Sequence, residues 1–181
     1  MVAPAPLTRW TWAGAVLVAG GLILALALHG RRPNPEMAIF EPAGVMLGIA
    51  PERVHAVEVR AGSRRLRFAR AAGGAWTVAG PGAPGDWRSR LETGLRLLHD
   101  STPQRVLSGP EVGDTPVAEF GLASPRCAVT VLADGANVFS IEFGSLNAQG
   151  LAQYARIAGR DGLVLLSRFV GEPWEALAGA R

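Results

Sequence analysis

The feature that most constrains this chain is an uncharged, strongly apolar run near its N-terminus. The run extends from Trp10 to Leu28 and reads WTWAGAVLVAGGLILALAL. At about 1.5 Å per residue, a helix of this length nearly matches a hydrocarbon core of about 30 Å. The sequence therefore predicts an N-terminal tail at residues 1–9 and a single transmembrane helix at residues 10–29.

Both ends of this run carry residue types that favour the membrane interface. Arg9, Trp10 and Trp12 stand at its start, and Arg31 and Arg32 follow its end. Indole rings favour the headgroup level, and arginine side chains stay out of the hydrocarbon. We expect these five residues to mark the two membrane interfaces.

A cleaved signal peptide is the alternative interpretation of the same segment. Arg9 supplies a basic n-region, and Ala25-Leu26-Ala27 has the small-x-small form of a cleavage site. The length of the apolar run and the Arg31-Arg32 pair just beyond it favour a retained anchor. We therefore expect an anchor that is kept in the mature protein.

The orientation of the span rests on two opposing signals. One arginine precedes the span and two follow it, which favours a cytoplasmic C-terminus. The positive amino terminus, and a short tail followed by a long C-terminal domain, favour the opposite arrangement. We predict a single-pass inner-membrane protein whose C-terminal domain lies in the periplasm.

Small residues recur within the apolar run at a spacing of four. They are Ala15 and Ala19, and Gly21 and Ala25. Such a stripe lets a second helix approach closely, so it predicts lateral helix packing. The alternative is chance, because a chain rich in alanine and glycine makes these spacings without selection.

The chain after the span divides into a connector and one globular domain. Residues 30–51 include Pro33, Pro35, Pro42 and Pro51, which favour an extended connector. Residues 52–181 alternate apolar and polar residues between turn signals, which predicts an α+β domain.

This domain is predicted to contain two similar halves, each an antiparallel β-meander plus a helix. The first half begins at Val54 and ends in a helix capped by Asp86. The second half begins at Ala128 and ends in a helix over residues 172–177, with Pro173 at an early helical position. The stretch between the two halves is polar and includes a short helical turn at residues 117–120.

The sequence shows no pattern typical of a metal or phosphate site. His29, His55 and His99 lack metal-ligand spacing to other histidines, cysteines or carboxylates. The glycine-rich stretch at residues 80–85 lacks the Lys-Ser/Thr ending of a phosphate loop and is better interpreted as a turn. We therefore predict no metal and no cofactor.

No nucleophile stands in a catalytic sequence context. Ser145 lacks the flanking residues of a nucleophile elbow, and Cys127 lies in an apolar run typical of a buried strand. An enzyme would have to gather distant residues such as Asp86, His99 and Ser145. We predict that the protein is not an enzyme and has no catalytic residues.

One concentration of charge predicts a binding surface, and its members are Arg60, Arg64, Arg65, Arg67 and Arg70. Arg64, Arg65 and Arg67 are its candidate contacts for an anionic partner. Arg65 and Arg67 share one face of a predicted strand, and Arg64 lies on the other. The cluster could contact anionic lipid headgroups, at about 1 kcal/mol per basic residue, or an acidic patch on a partner. The alternative is a solvated strand face. Nucleic acid is not predicted, because the cluster lacks interleaved aromatic residues.

Several short segments together resemble the bacterial domain of unknown function family 4340. They are a meander bearing Trp76, Phe120-Gly121-Leu122 with Ser124-Pro125, Phe143-Gly144, and Tyr154-Ala155-Arg156. The resemblance covers roughly residues 54–177. It implies an envelope protein with an N-terminal span, associated with export or gliding-motility systems, and it transfers no catalytic residue.

Together these features predict a non-catalytic, membrane-anchored accessory or assembly subunit of a cell-envelope complex, associated with transport. Its expected partners are subunits of that complex and the lipid bilayer. The alternative is a ligand-binding module that takes a small molecule, a lipid or glycan, in a cleft between the two halves.

Overall fold

The computed structural model describes residues 18–21, 45–46, 48–134 and 137–179. The predicted interface residues (Arg9, Trp10, Trp12, Arg31 and Arg32) lie outside the described residues, as do Ala15 and Ala25. Ala19 and Gly21 fall in the described helical stretch at residues 18–21. Among the described residues, no helix is both long and apolar enough to cross a membrane. The chain divides into two units, Met1–Phe40 and Glu41–Arg181.

The second unit is built on one antiparallel sheet of eight strands. The strands are β1 (Val54–Ala61), β2 (Arg64–Arg70), β3 (Trp76–Ala79), β4 (Arg105–Leu107), β5 (Cys127–Ala133), β6 (Asn137–Leu146), β7 (Ala152–Ile157) and β8 (Leu163–Ser167). Their order across the sheet is β3-β2-β1-β5-β6-β7-β8-β4. The predicted α+β class with antiparallel meanders is confirmed, and both meanders belong to a single sheet.

Helices accompany the sheet at three places. They are α1 (Trp87–Asp100), α2 (Gly109–Val112) and α3 (Arg168–Ala178), and a 3-10 turn at Pro51–Arg53 precedes β1. Leu91, Leu95 and Leu98 of α1 join the same buried cluster as Trp174 and Leu177 of α3. Both long helices therefore pack on one face of the sheet, called the covered face below.

The alternation of the strands explains why this face is covered. In β1, Val57 and Val59 are fully buried, whereas Glu58 is half-buried and Arg60 is exposed. Successive side chains of a strand point to opposite faces, so an apolar set on one face packs against the helices. The other face, called the open face below, carries polar side chains.

The two long helices meet closely at a glycine. A Cβ atom on Gly94 of α1 would lie 2.6 Å from ring atoms of Trp174, which is fully buried. Only a glycine leaves room for the indole ring at this crossing. The contact links the helix of the first meander to the helix of the second.

The packed body begins earlier than the sequence indicates. Val45 and Met46 are buried in the core, and their N–H groups donate to the carbonyls of Ser101 and Leu98 at 2.9 and 3.1 Å. These bonds satisfy carbonyls at the C-terminal end of α1, which lack partners within the helix. The boundary at Glu52 is therefore too late, because residues 45–46 belong to the body.

The closing helix also begins earlier than predicted. It starts at Arg168, so Pro173 lies inside the helix and not at its first turn. Proline usually marks a helix start, because it lacks an N–H group and clashes with the preceding turn. Here the burial of Val170, Trp174 and Leu177 outweighs that preference.

The polar stretch between the halves contains one short strand and one short helix that the sequence does not predict. β4 pairs with β8 through Arg105–Leu165 and Leu107–Leu163, and α2 follows it directly. Three residues are too few to show alternation. The capping box of Ser108 and Glu111 was a readable signal for α2, since Ser-x-x-Glu marks a helix start.

Candidate functional site

The open face of the sheet carries part of the charged cluster that the sequence singles out, including Arg65 and Arg67. Cross-strand pairing aligns them in two rows, one reading Arg65, Arg60, Ala128, Glu142, Arg156 and the other Arg67, Glu58, Thr130, Ser140. In each row the residues are direct neighbours on adjacent strands. The open face is therefore a polar surface with arginines at defined places.

Two ion pairs occupy the carboxylates of this surface. Arg67 Nη1 donates to Glu58 Oε1 at 3.1 Å. Arg156 donates from Nε and Nη2 to Glu142 Oε2 at 2.9 and 2.6 Å. Both carboxylates are thereby committed to arginines on neighbouring strands.

Arg60 and Arg65 form the remaining pair. They are directly opposite each other in the β1–β2 register, and both are exposed. No carboxylate among the described residues lies within ion-pair distance of either guanidinium. Like charges at directly opposed positions destabilise a sheet, so this pair raises the free energy of the isolated body.

Arg64 lies apart from Arg65 and Arg67 of the same strand. Its Nη2 donates to the Gly82 carbonyl, and its guanidinium lies against Gly179 after α3. The structure therefore brings Arg65 and Arg67 to the open face and takes Arg64 to the covered side, as strand alternation indicates. Arg60 belongs to the predicted arginine cluster but not to its three candidate contacts, and the two-residue turn at Gly62-Ser63 places it opposite Arg65.

A small cavity of about 210 Å³ opens beside the second ion pair. Its lining comprises Ser140, Glu142, Arg156 and residues 157–160 of the turn after β7. Thr130 Oγ1 and Ser140 Oγ lie 3.2 Å apart next to it. The cavity is polar and adjoins the arginine rows.

A second, larger groove of about 410 Å³ lies between α1 and α3. Arg90 and Asp86 pair across 2.7 Å at its side, and Phe169 contributes a ring that is 63% exposed. The hydrogen bond from Arg90 holds the pKa of Asp86 below its ordinary value. The groove lies between the helices of the two predicted halves, and Arg64, Arg65 and Arg67 do not line it.

One buried polar network lies on the covered side. Gln153 is 1% exposed, and its Nε2 donates to the Gly144 carbonyl at 3.0 Å and to Glu175 Oε1 at 2.6 Å. Arg126 Nε donates to the same oxygen at 2.9 Å. Burial, together with the charge of Glu175, raises the pKa of the neighbouring Cys127 thiol above its ordinary range. The predicted burial of Cys127 is confirmed.

The residues named for a hypothetical enzyme are not gathered. Asp86 and His99 lie at opposite ends of α1, about 20 Å apart at 1.5 Å per residue. Asp86 pairs with Arg90, and His99 Nδ1 lies 3.1 Å from the Ile49 carbonyl oxygen. His55 is exposed on β1. Within the described part of the chain, no three histidine, cysteine or acidic side chains cluster as metal ligands would.

Three of the segments that carry the family resemblance meet in space, whereas Trp76 lies at the far edge of the sheet on β3. The Ser145 N–H donates to the Phe120 carbonyl at 2.8 Å, and a Cβ atom on Gly144 would collide with that carbonyl. Gly121 has a φ of 69° and lies against Ser145, and the ring of Phe120 contacts Tyr154 edge-on at 5.0 Å. The motif residues thus hold the loop after α2 against β6 and β7, which is a packing role.

Comparison of the chain with models of protein families, with curated proteins and with solved structures finds no match. The resemblance to family 4340 therefore stays a prediction carried by these short segments.

Proposed function

We propose that the protein is a non-catalytic accessory or assembly subunit of a cell-envelope membrane complex. A single inner-membrane helix at residues 10–29 anchors it, and its α+β body lies in the periplasm. The observation that carries the proposal is the uncharged run from Trp10 to Leu28 followed by a folded body. It requires no cofactor, and its partners are subunits of that complex and the bilayer.

The way the α+β body is built supports a role in contacting other proteins. Several of its charged side chains form ion pairs that join neighbouring elements, such as Arg126 with Glu175. The topology also fits two duplicated halves. β1-β2-β3-α1 and β5-β6-β7-β8-α3 extend in opposite directions from the central β1–β5 pair. We propose that duplication produced this broad sheet, which offers a wide surface to a partner.

The anchor is tested by alkaline extraction of membranes that contain the full chain. The wild type is expected to stay in the pellet with an intact N-terminus. The variant Val18→Arg/Leu22→Arg is expected to move to the supernatant, because each arginine at a helix centre costs about 3 kcal/mol of insertion free energy. The matched control Val18→Leu/Leu22→Val is expected to stay in the pellet. A soluble mature chain that begins at Leu28 would show a cleaved signal peptide and refute the anchor.

The partner role is tested by purification in mild detergent. Integral membrane proteins are expected to co-purify with the full chain in a fixed ratio. A monodisperse monomer, obtained under conditions that keep neighbouring complexes intact, would refute the assembly role.

The groove between α1 and α3 supports a second candidate function, the binding of a lipid or glycan fragment. It joins an exposed aromatic ring, Phe169, to the charged pair Asp86–Arg90. Native mass spectrometry of the full chain is expected to detect a retained small molecule, and Phe169→Ala is expected to lose it. Identical spectra for the two proteins, without adducts, would remove this candidate.

A further inference from the structure

We propose that Arg60 and Arg65 together form a binding site for the phosphate of an anionic lipid headgroup. The site lies on the open face beside the β1–β2 turn. The inference deepens the proposed function and rests on it, because the anchor is what keeps the body near a bilayer.

The geometry of the pair suits one phosphate group. Arg60 and Arg65 are direct cross-strand neighbours, so their Cβ atoms are separated by about 5 Å. Each guanidinium presents a planar fork of donors that matches two oxygens of a phosphate. Two forks that leave adjacent positions on the same face can converge on a single anion.

The charge balance of the open face leaves this pair available. Glu58 is held by Arg67, and Glu142 is held by Arg156. Of the other arginines of β2, Arg64 turns to the covered side, and Arg70 donates to the Glu52 carbonyl at 2.9 Å. Among the described residues, Arg60 and Arg65 are thus two adjacent cations without an acidic partner, and an external anion removes their mutual repulsion.

The surroundings of the pair favour a headgroup layer over an acidic protein surface. Toward β5 and the turn its neighbours are small residues, Ala128 beside Arg60 and Ala61, Gly62 and Ser63 in the turn, and on the other side lies the ion pair of Glu58 and Arg67. Protein interfaces concentrate their binding energy in buried aromatic and arginine anchors that fill pockets. A pair of exposed arginines beside an exposed turn of small residues suits the phosphates of a bilayer surface.

A tether makes a weak headgroup contact effective. Each basic residue near an anionic membrane contributes about fivefold to the binding equilibrium, so two contribute about 25-fold. That is too little for a free protein to stay bound. A span that precedes the body raises the local concentration of headgroups, so the same contact then orients the sheet.

The test places a fluorescent label on the β1–β2 turn of the full chain. Ser63→Cys is exposed, whereas Cys127 is buried and has a raised thiol pKa, so the dye attaches at position 63. The labelled chain is reconstituted into phosphatidylcholine vesicles, with or without phosphatidylglycerol, that contain a nitroxide on the lipid headgroup. Quenching of the dye reports contact between the turn and the bilayer.

We expect quenching in the phosphatidylglycerol vesicles and its loss at high salt. Arg60→Gln/Arg65→Gln is expected to lower the contact equilibrium by about 25-fold. The control Arg88→Gln/Arg96→Gln removes the same charge from exposed positions on α1 and is expected to leave quenching unchanged. Equal quenching of the wild type and the Arg60/Arg65 variant, or equal losses in both variants, would overturn the site.

Two further experiments distinguish binding of free phosphate from lipid binding, and failure of the arginine site from failure of the anchor. If inorganic phosphate abolishes quenching when chloride of equal ionic strength does not, the site takes free phosphate and the lipid assignment is overturned. Flotation with phosphatidylcholine vesicles after an alkaline wash reports the anchor alone. A chain that floats but shows no lipid-dependent quenching refutes the arginine site, whereas a chain that fails to float refutes the anchor.

Discussion

The two faces of the sheet are built from the same strands but are held by different forces. On the covered face, Val57, Val129 and Ile141 are fully buried under α1 and α3. On the open face, their neighbours Glu58 and Glu142 form ion pairs with the exposed Arg67 and the half-buried Arg156. Burial of apolar area stabilises strongly, whereas exposed ion pairs contribute little. The covered face therefore holds the fold, and the open face contributes less to its stability.

Removal of Trp174 is the largest expected perturbation of the covered face. Trp174→Ala is expected to lower the free energy of unfolding by about 3–5 kcal/mol, because it leaves a cavity where the indole meets Gly94. Phe169→Ala on the same helix is the control, since its ring is 63% exposed, and it is expected to cost less than about 1 kcal/mol. Denaturant titration in detergent measures both values. A loss for Trp174→Ala as small as the one expected for Phe169→Ala would show that packing of the helices does not stabilise the sheet.

The contrast between the faces also explains which parts of the fold could be predicted. Trp87, Leu91, Leu95 and Leu98 recur at helical spacing, so α1 was predictable from its periodicity. β4 was not, because its three residues form a strand only through pairing with the distant β8. The place of Val45 and Met46 in the core could not be predicted for the same reason. Their N–H groups bond to carbonyls at the C-terminal end of α1, which is distant in sequence.

The candidate site was predictable only in part. The sequence indicated the arginines of β2 and their separation by face. It did not indicate which of them would be neutralised, since that depends on the β1–β2 register, which sets Glu58 opposite Arg67 and Arg60 opposite Arg65. Local alternation assigns a side chain to a face, but only strand pairing gives it a neighbour.

The buried Cys127 gives a second test of the covered face, through the pH dependence of the free energy of unfolding. Burial raises the pKa of its thiol in the folded protein, so the stabilisation is fully present below the thiol pKa of the unfolded chain, about 8.5, and is lost as the pH rises. Above that pH, the wild type is expected to lose about 1.4 kcal/mol per pH unit relative to Cys127→Ala. Unfolding titrations of both proteins at several alkaline pH values measure the difference. Parallel profiles would mean that the thiol is accessible to solvent, contrary to its burial.

The smallest effect is expected on the open face, at Glu142. Its side chain is 31% exposed and pairs with Arg156, so Glu142→Gln is expected to change the free energy of unfolding by less than about 1 kcal/mol. Glu175→Gln is the same chemical change on the covered side. There the carboxylate is 16% exposed and accepts hydrogen bonds from Arg126 and Gln153. That variant is expected to cost about 1–3 kcal/mol, because it weakens charged hydrogen bonds in a buried network. Denaturant titration at low and high salt compares the two variants. Equal losses of unfolding free energy in the two variants would mean that the open-face ion pairs stabilise the fold as much as the covered network does. The proposed difference between the two faces would then be wrong.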